Sequence, residues 1–227
     1  GDTIALGTPI FTPYVELPHL SNYQLETVAI EQTEIADGFH TWQYPDEEIA
    51  KLEDPKIKAL FLVNPSNPAS FAMDPKTQKR LVELVRTKRK DLLILTDDVY
   101  GTFVEGFRSI AADLPHNTIL VYSFSKHFGC TGWRLGVVAM HEDHVLDRML
   151  AAQPEDTREE LRERYASLST TPDTLKFIDR IVADSRDIAL NHTAGLSLPQ
   201  QAQMALFSLY ALVDEGDAYE KRCRAIV

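Results

Sequence analysis

Five short apolar runs divide the first 140 residues of the chain. They are rich in isoleucine, leucine and valine, and apolar residues do not strictly alternate with polar ones within them. The runs cover Thr3–Leu6, Ala59–Val63, Leu92–Thr96, Thr118–Tyr122 and Leu135–Met140. This pattern is typical of strands that are buried on both faces of a mostly parallel sheet.

A helical pattern separates the second run from the third. Asp74 and Pro75 are residue types favoured at the N-cap and at the first position of a helix. Leu81, Leu84 and Val85 then fall on one helical face. Repeated strand–helix–strand units predict an α/β fold, a three-layer α/β/α sandwich with a mostly parallel sheet.

The pattern changes after Met140. Residues 141–190 are strongly charged, which favours a solvated helical segment, with a charged interface between subunits as the alternative. From Pro199 to Val227 apolar residues recur at helical spacing and predict one long amphipathic helix. We therefore expect a large-domain core at 1–140, a charged helical insertion at 141–198 and a long helix at 199–227.

Composition and charge narrow the possible classes of function. The 227 residues carry a net charge of −11, from 34 acidic and 23 basic residues, which disfavours a nucleic-acid partner. No apolar run approaches the roughly 18 residues that span a bilayer, so a membrane partner is not expected. Cys130 and Cys223 lie far apart and form no disulfide framework, which favours a reduced, cytoplasmic protein. Because the chain begins with Gly1 and no leader pattern, we expect a fragment of a longer protein.

A lysine follows the fourth apolar run, in the segment Ser123-Phe124-Ser125-Lys126. Open α/β sheets bind ligands at the carboxyl ends of their strands, and a partly desolvated lysine amine becomes a nucleophile. The guanidinium of Arg134, eight residues further on, could hold a phosphate beside the hydroxyls of Ser123 and Ser125. An exposed loop lysine and a structural ion pair are the alternative interpretations.

Three further motifs follow other apolar runs. Either carboxylate of Asp97-Asp98 could pair with a protonated ring nitrogen, and Tyr100 could reach the phenolic oxygen of the same ring. The turn at residues 64–68 contains two prolines, which stiffen it and can fix an asparagine as a hydrogen-bond partner. Phe11, after the first run, offers an aromatic ring to a flat cofactor. When each motif is considered alone, it has a structural alternative: a helix cap followed by a core tyrosine for the first, a plain turn for the second, and core packing for the third.

In this order the motifs resemble those of the fold-type I pyridoxal-phosphate (PLP) enzymes, the aspartate aminotransferase superfamily. The resemblance extends from Gly1 to about Met140, and SFSK…GWRLG is its most specific part. It implies PLP as the cofactor, Lys126 as the Schiff-base lysine and Asp97 as the partner of the ring nitrogen, and it implies no metal site. It assigns the other contacts by motif: Asn67 and Tyr100 to the phenolic oxygen, Ser123, Ser125 and Arg134 to the phosphate, and Phe11 to the ring face.

Longer segments are similar to the bacterial aspartate 4-decarboxylases. They are TPIFTPYVELPHL, TDDVYGTFVEGFRS, VYSFSKHFGCTGWRLG and NHTAGLSLPQQ, and residues 177–180 through 191–195 resemble that family's insertion. The similarity implies decarboxylation of L-aspartate to L-alanine and CO₂, with transamination as a side activity, in a homodimer or larger homo-oligomer.

It also implies that a phosphate-binding loop and a C-terminal small domain lie outside the chain, which alone would be inactive. A plain aminotransferase acting on aspartate or another amino acid is the alternative, and a non-catalytic aminotransferase-like domain of a transcription regulator is a remote one.

Overall fold

In the computed structural model, the described residues are 2–19, 25–35, 41–127, 129–188, 196–214 and 216–226. The chain forms two compact units that meet in sequence between Glu142 and Asp143. Residues 191–195, which carry part of the resemblance to the decarboxylase insertion, lie outside the described residues. No helix in the described part of the chain is both long and apolar enough to cross a membrane.

The first unit is built on a six-stranded sheet. The strands of the unit are β1 (Thr3–Thr8), β2 (Glu26–Glu31), β3 (Thr33–Ile35), β4 (Thr41–Gln43), β5 (Ile57–Val63), β6 (Leu93–Asp97), β7 (Thr118–Ser123) and β8 (Gly136–Ala139). The order in the sheet is β2-β1-β5-β6-β7-β8, and every neighbouring pair is parallel except β7 with β8. Strands β3 and β4 form a separate antiparallel pair. The predicted mostly parallel sheet is confirmed.

The five runs predicted as strands are β1, β5, β6, β7 and β8, with small shifts at their ends. Strand β2 was not predicted, because it lies at one end of the sheet and only Ile30 in it is buried. It therefore lacks the continuous apolar run of a central strand. Strand β8 runs antiparallel to β7, an arrangement that requires no helical crossover between them.

The helices of the first unit are α1 (Thr12–Glu16), α2 (Asp46–Ala50), α3 (Pro75–Thr87) and α4 (Phe124–His127). The predicted start of α3 is confirmed, since the Asp74 carboxylate accepts a hydrogen bond from the Thr77 amide at 2.6 Å. The main core packs Leu81, Leu84 and Val85 of α3 against alternate residues of the central strands. A smaller cluster forms on the other sheet face from Ile4, Leu6, Ala59, Phe61, Leu93 and Leu95.

A buried arginine connects the end of α3 to the sheet. The Arg89 side chain is buried, and its guanidinium donates hydrogen bonds to the carbonyls of Leu52, Asp54 and Ile57. It also donates to both carboxylate oxygens of Asp91, at 3.0 and 2.8 Å. This hydrogen bonding lowers the pKa of Asp91 below its usual value. One cation therefore satisfies several backbone groups that would otherwise be unpaired.

The second unit is helical. It contains α5 (Val145–Ala151), α6 (Glu155–Tyr165), α7 (Phe177–Ile188), α8 (Leu198–Val213) and α9 (Ala218–Ile226). Tyr165 is buried, its hydroxyl donates to the Asp184 carboxylate at 3.1 Å, and the Arg180 guanidinium lies 4.9 Å from its ring centre. The helical character predicted for the charged segment is thus observed in α5, α6 and α7.

The predicted helix over 199–227 differs from the structure, in which two helices, α8 and α9, occupy this range. The backbone leaves the helical region at Asp214, and Asp217 has a positive φ of 49°. Gly216 lies between them, and glycine and aspartate are weak helix formers. The apolar face predicted on α8 is present, but its side chains are exposed, with Leu209 at 56% and Leu212 at 84%.

Candidate active site

Three parallel strands of the first unit end beside one another and carry the predicted site residues. In the sheet register Val63 of β5 pairs with Asp97 of β6, and Asp97 pairs with Val121 of β7. Asn67 follows β5 by four residues, and Lys126 follows β7 by three. Because parallel strands end at the same edge of a sheet, side chains from distant parts of the sequence meet there.

Lys126, Asn67 and Tyr100 line one cavity of about 390 Å³. The Asn67 amide nitrogen donates a hydrogen bond to the Tyr100 hydroxyl at 3.3 Å, and Lys126 is exposed. The rest of the wall is formed by Pro65, Ser66, Ser70, Phe103 and Val104. The structure thus brings together the predicted Schiff-base lysine and the two residues predicted to contact the phenolic oxygen.

The turn that carries Asn67 is fixed by hydrogen bonds on both sides. The Asn64 amide donates to the backbone carbonyl of Asp97 at 3.0 Å, which joins this turn to the end of β6. Ser66 donates to the Phe71 carbonyl at 3.0 Å through its hydroxyl and at 2.9 Å through its amide. Asn64 and Ser66 are both buried, so Asn67 projects from a backbone with little freedom to move.

The two adjacent carboxylates differ in environment. Asp98 is buried, accepts a hydrogen bond from the Thr96 hydroxyl at 2.6 Å, and has a pKa raised by burial. Asp97 is only half-buried, and its oxygens accept from the Val99 amide at 3.1 Å and from the Tyr14 hydroxyl at 2.9 Å. Asp97 is therefore the carboxylate that is accessible at the strand ends, and Asp98 belongs to the interior.

The aromatic segment after β1 lies against Asp97. Tyr14 makes edge-on contacts with Phe11 and Phe61, with ring centres 6.2 and 6.1 Å away. Phe11 is 48% exposed, and its stacking on a cofactor stays a prediction. The bond from Tyr14 to Asp97 was not predicted from the sequence. The available signal was a tyrosine after a buried strand, since a half-buried hydroxyl requires an acceptor.

The three residues predicted to contact the phosphate are not all hydrogen-bonded to one another. The Ser123 hydroxyl donates to the Ser125 hydroxyl at 3.0 Å and accepts from the Ser125 amide at 3.2 Å. Arg134 is exposed, has a positive φ of 51°, and donates to the Thr131 carbonyl at 2.9 Å. In the described part of the chain Arg134 makes no hydrogen bond to either serine, so its role at a phosphate stays a prediction.

Comparison with known proteins identifies the family. The family model for aminotransferase class I and II matches residues 1–170. The chain belongs to this family. The resemblance indicated by the motifs is thereby confirmed.

The chain is similar to a bifunctional aspartate aminotransferase and L-aspartate beta-decarboxylase from Pseudomonas sp, at 55% identity over 227 residues, which is 100% of this chain and 42% of that protein. The chain therefore spans less than half the length of this curated relative.

Two solved structures share the fold. The aromatic aminotransferase from Pyrococcus horikoshii OT3 has a TM-score of 0.52 and 29% identity, covering 62% of this chain and 37% of that one. Cystalysin from Treponema denticola, which contains a PLP cofactor, has a TM-score of 0.52 and 21% identity, covering 76% of this chain and 42% of that one. The expected α/β/α class is confirmed by this likeness.

Proposed function

We propose that this protein uses PLP to convert L-aspartate to L-alanine and CO₂, with transamination of aspartate as a side activity. The observation that carries the proposal is the meeting of Lys126, Asn67 and Tyr100 in one cavity. Asp97 ends strand β6, which lies between the two strands that precede Asn67 and Lys126. The choice of reaction rests on the 55% identity to a relative whose name states both activities.

The chemistry of these side chains fits PLP. A lysine amine can bind the aldehyde, an amide and a phenol can hydrogen-bond the phenolic oxygen, and a carboxylate can pair with the ring nitrogen. The cavity of about 390 Å³ lies within the range of small-molecule sites. When bound, PLP supplies an electron-withdrawing ring that stabilises negative charge developing on the amino acid.

Lys126 has two successive tasks in this proposal. Its amine would hold the cofactor covalently until the amine of L-aspartate displaces it. The freed lysine accepts the proton from Cα of the substrate as a general base. Its exposure on the cavity wall gives the amine access to both positions.

The neighbouring polar side chains orient the site. Asn67 and Tyr100 are hydrogen-bonded to each other, so together they present one polar surface to the phenolic oxygen. Asp97 uses one lone pair on each oxygen for Val99 and Tyr14, which leaves the remaining lone pairs for a ring N–H. Ser123 and Ser125 supply hydroxyls for the phosphate, together with Arg134, and Phe11 covers the ring.

The proposal extends to the setting of the reaction. The protein acts in the cytoplasm as a homodimer or larger homo-oligomer, and L-aspartate rather than nucleic acid is its ligand, in keeping with the net charge of −11. For the domains we propose the bounds expected from the sequence: a large-domain core at 1–140, a charged insertion at 141–198 and the C-terminal helices at 199–227. The phosphate loop and the small domain come from outside these 227 residues, which alone are inactive. Production of alanine by the isolated 227-residue chain would contradict this last point.

Covalent trapping tests the central assignment. The complete protein is incubated with PLP, reduced with borohydride and mapped by peptide mass spectrometry. We expect the label on Lys126, its loss in Lys126→Ala, and its retention in Lys176→Ala, a control that changes an exposed lysine of the second unit. A label on any other lysine of the wild-type protein contradicts the proposal.

Product analysis then separates the two reactions. Alanine and CO₂ formed from L-aspartate without a keto-acid acceptor support decarboxylation. A strict requirement for a keto acid, with no release of CO₂, would instead identify a plain aminotransferase.

A further inference from the structure

Tyr14 is tied directly to the proposed cofactor site although it lies 83 residues from its partner in the sequence. Its hydroxyl donates to Oδ2 of Asp97 at 2.9 Å. Its ring is fixed by edge-on contacts with Phe11 on one side and Phe61 of β5 on the other. The hydroxyl is therefore held in place by packing as well as by the hydrogen bond.

The Asp97 carboxylate thus has one fixed donor on each oxygen. The Val99 amide occupies Oδ1 at 3.1 Å, and the Tyr14 hydroxyl occupies Oδ2. Hydrogen bonds donated to a carboxylate favour its ionised form. Burial, followed by the charge of Asp97, raises the pKa of Tyr14, so the hydroxyl remains protonated and keeps donating at neutral pH. Of the two donors, only that of Tyr14 can be removed by a side-chain substitution.

We propose that Tyr14 is a positioning residue that keeps the shared proton on the cofactor's ring nitrogen rather than on Asp97. The inference rests on the proposed function and concerns the same site. By donating to Oδ2, Tyr14 stabilises negative charge on the carboxylate and holds it in one orientation. Without the hydroxyl, the charged carboxylate loses this hydrogen bond, the shared proton moves toward Asp97, and the ring nitrogen loses positive charge.

The test uses Tyr14→Phe in the complete protein loaded with PLP, since phenylalanine keeps the ring and its contacts. We expect kcat for L-aspartate to fall about tenfold, the effect of one hydrogen bond to a charged group, while KM changes little. Independently of activity, the absorbance of PLP bound at Lys126 should titrate at a higher pH. A positive charge on the ring nitrogen disfavours a proton on the Lys126 nitrogen that is bonded to PLP. The variant carries less of this positive charge, so the Lys126 nitrogen keeps its proton up to a higher pH.

Two controls make the outcome specific. Tyr44→Phe removes the hydroxyl of a buried core tyrosine and should leave the titration at its wild-type pH. In the Asp97→Asn background, Tyr14→Phe should add no further shift, because the carboxylate through which it acts has been removed.

The possible failures are distinguishable. A Tyr14→Phe variant that carries the borohydride label on Lys126 but titrates like the wild type overturns this inference alone. Equal shifts with and without the Asp97 carboxylate also overturn it, since they indicate a purely structural effect. Absence of any label on Lys126 in the wild-type protein overturns the proposed function and this inference with it.

Discussion

Two arginines, one in each unit, are held in different ways. In the first unit Arg89 is buried and bonds mainly to backbone carbonyls, which the fold fixes in space. In the second unit Arg162 of α6 pairs with the side chains of Glu155, Glu159 and Asp173, all of them exposed. Polar groups fixed by backbone have a defined geometry, whereas pairs of exposed side chains are mobile and screened by solvent. The proposed site lies in the unit that contains Arg89.

The apolar helix faces of the two units differ in the same sense. Leu81 of α3 is fully buried against the sheet, while Leu206 of α8 is 66% exposed. Both residues belong to apolar stripes of similar helical spacing. Such a stripe marks a surface suited to burial, whereas burial itself depends on the neighbouring layer.

Of the changes considered, replacing Arg89 should destabilise the protein most, and replacing Arg162 provides the comparison. Arg89→Met should cost about 3 to 5 kcal/mol of unfolding free energy, because it leaves the buried carbonyls of Leu52 and Ile57 and the partly buried carbonyl of Asp54 without their donor. Arg162→Met should cost far less, and its effect should shrink further as salt is added. Urea unfolding of both variants measures the difference. Equal losses of unfolding free energy in the two variants would show that burial does not explain the difference between Arg89 and Arg162.

The difference in burial between the two apolar helix faces can be tested by shortening one leucine on each. Leu81→Ala should destabilise the protein by about 2 to 5 kcal/mol, through lost burial and the cavity that remains. Leu206→Ala should change stability by no more than about 0.5 kcal/mol, since its side chain is already in water. Both are measured by denaturant unfolding at low protein concentration. A loss at Leu206 that approaches the loss at Leu81 contradicts the prediction.

The smallest effect concerns an exposed ion pair within the first unit. Hydrogen bonds from Arg108, at 2.8 Å, and from Gln78 lower the pKa of Asp113 below its usual value of 3.8. A carboxylate with a lowered pKa stabilises the fold above pH 3.8, and the contribution is lost as the pH falls below that value.

Asp113→Asn should therefore flatten the stability curve below about pH 4, by at most about 1 kcal/mol after screening. Unfolding free energies measured between pH 3 and 6 check this expectation. A loss of stability as large as that expected for Arg89→Met would contradict the idea that burial sets the strength of these interactions.

The local pattern was sufficient for much of the fold. The strands β1, β5, β6, β7 and β8 and the start of α3 follow from apolar runs and from Asp74-Pro75, because these signals lie within a few consecutive residues. Strand β2 escaped prediction, since an outer strand is only partly buried. The end of α8 near Gly216 was also missed, because a single weak helix former does not always stop a helix.

The candidate site was predictable to the same extent. Polar motifs after buried strands placed Lys126, Asn67 and Tyr100 at one sheet edge, and the structure brings these three into one cavity. The bond from Tyr14 to Asp97 was not predictable in this way, since it joins residues 83 positions apart through the packing of aromatic rings.

The strand runs, the α/β class and the family could therefore be read from the amino-acid sequence, because each depends on residue type and short spacing. Three properties became visible only in the folded chain: Asp97 rather than Asp98 is accessible, Tyr14 donates to Asp97, and the apolar stripe on α8 is exposed. These properties depend on which surfaces meet after the chain has folded. Residues distant in sequence supply those surfaces, so no local pattern encodes them.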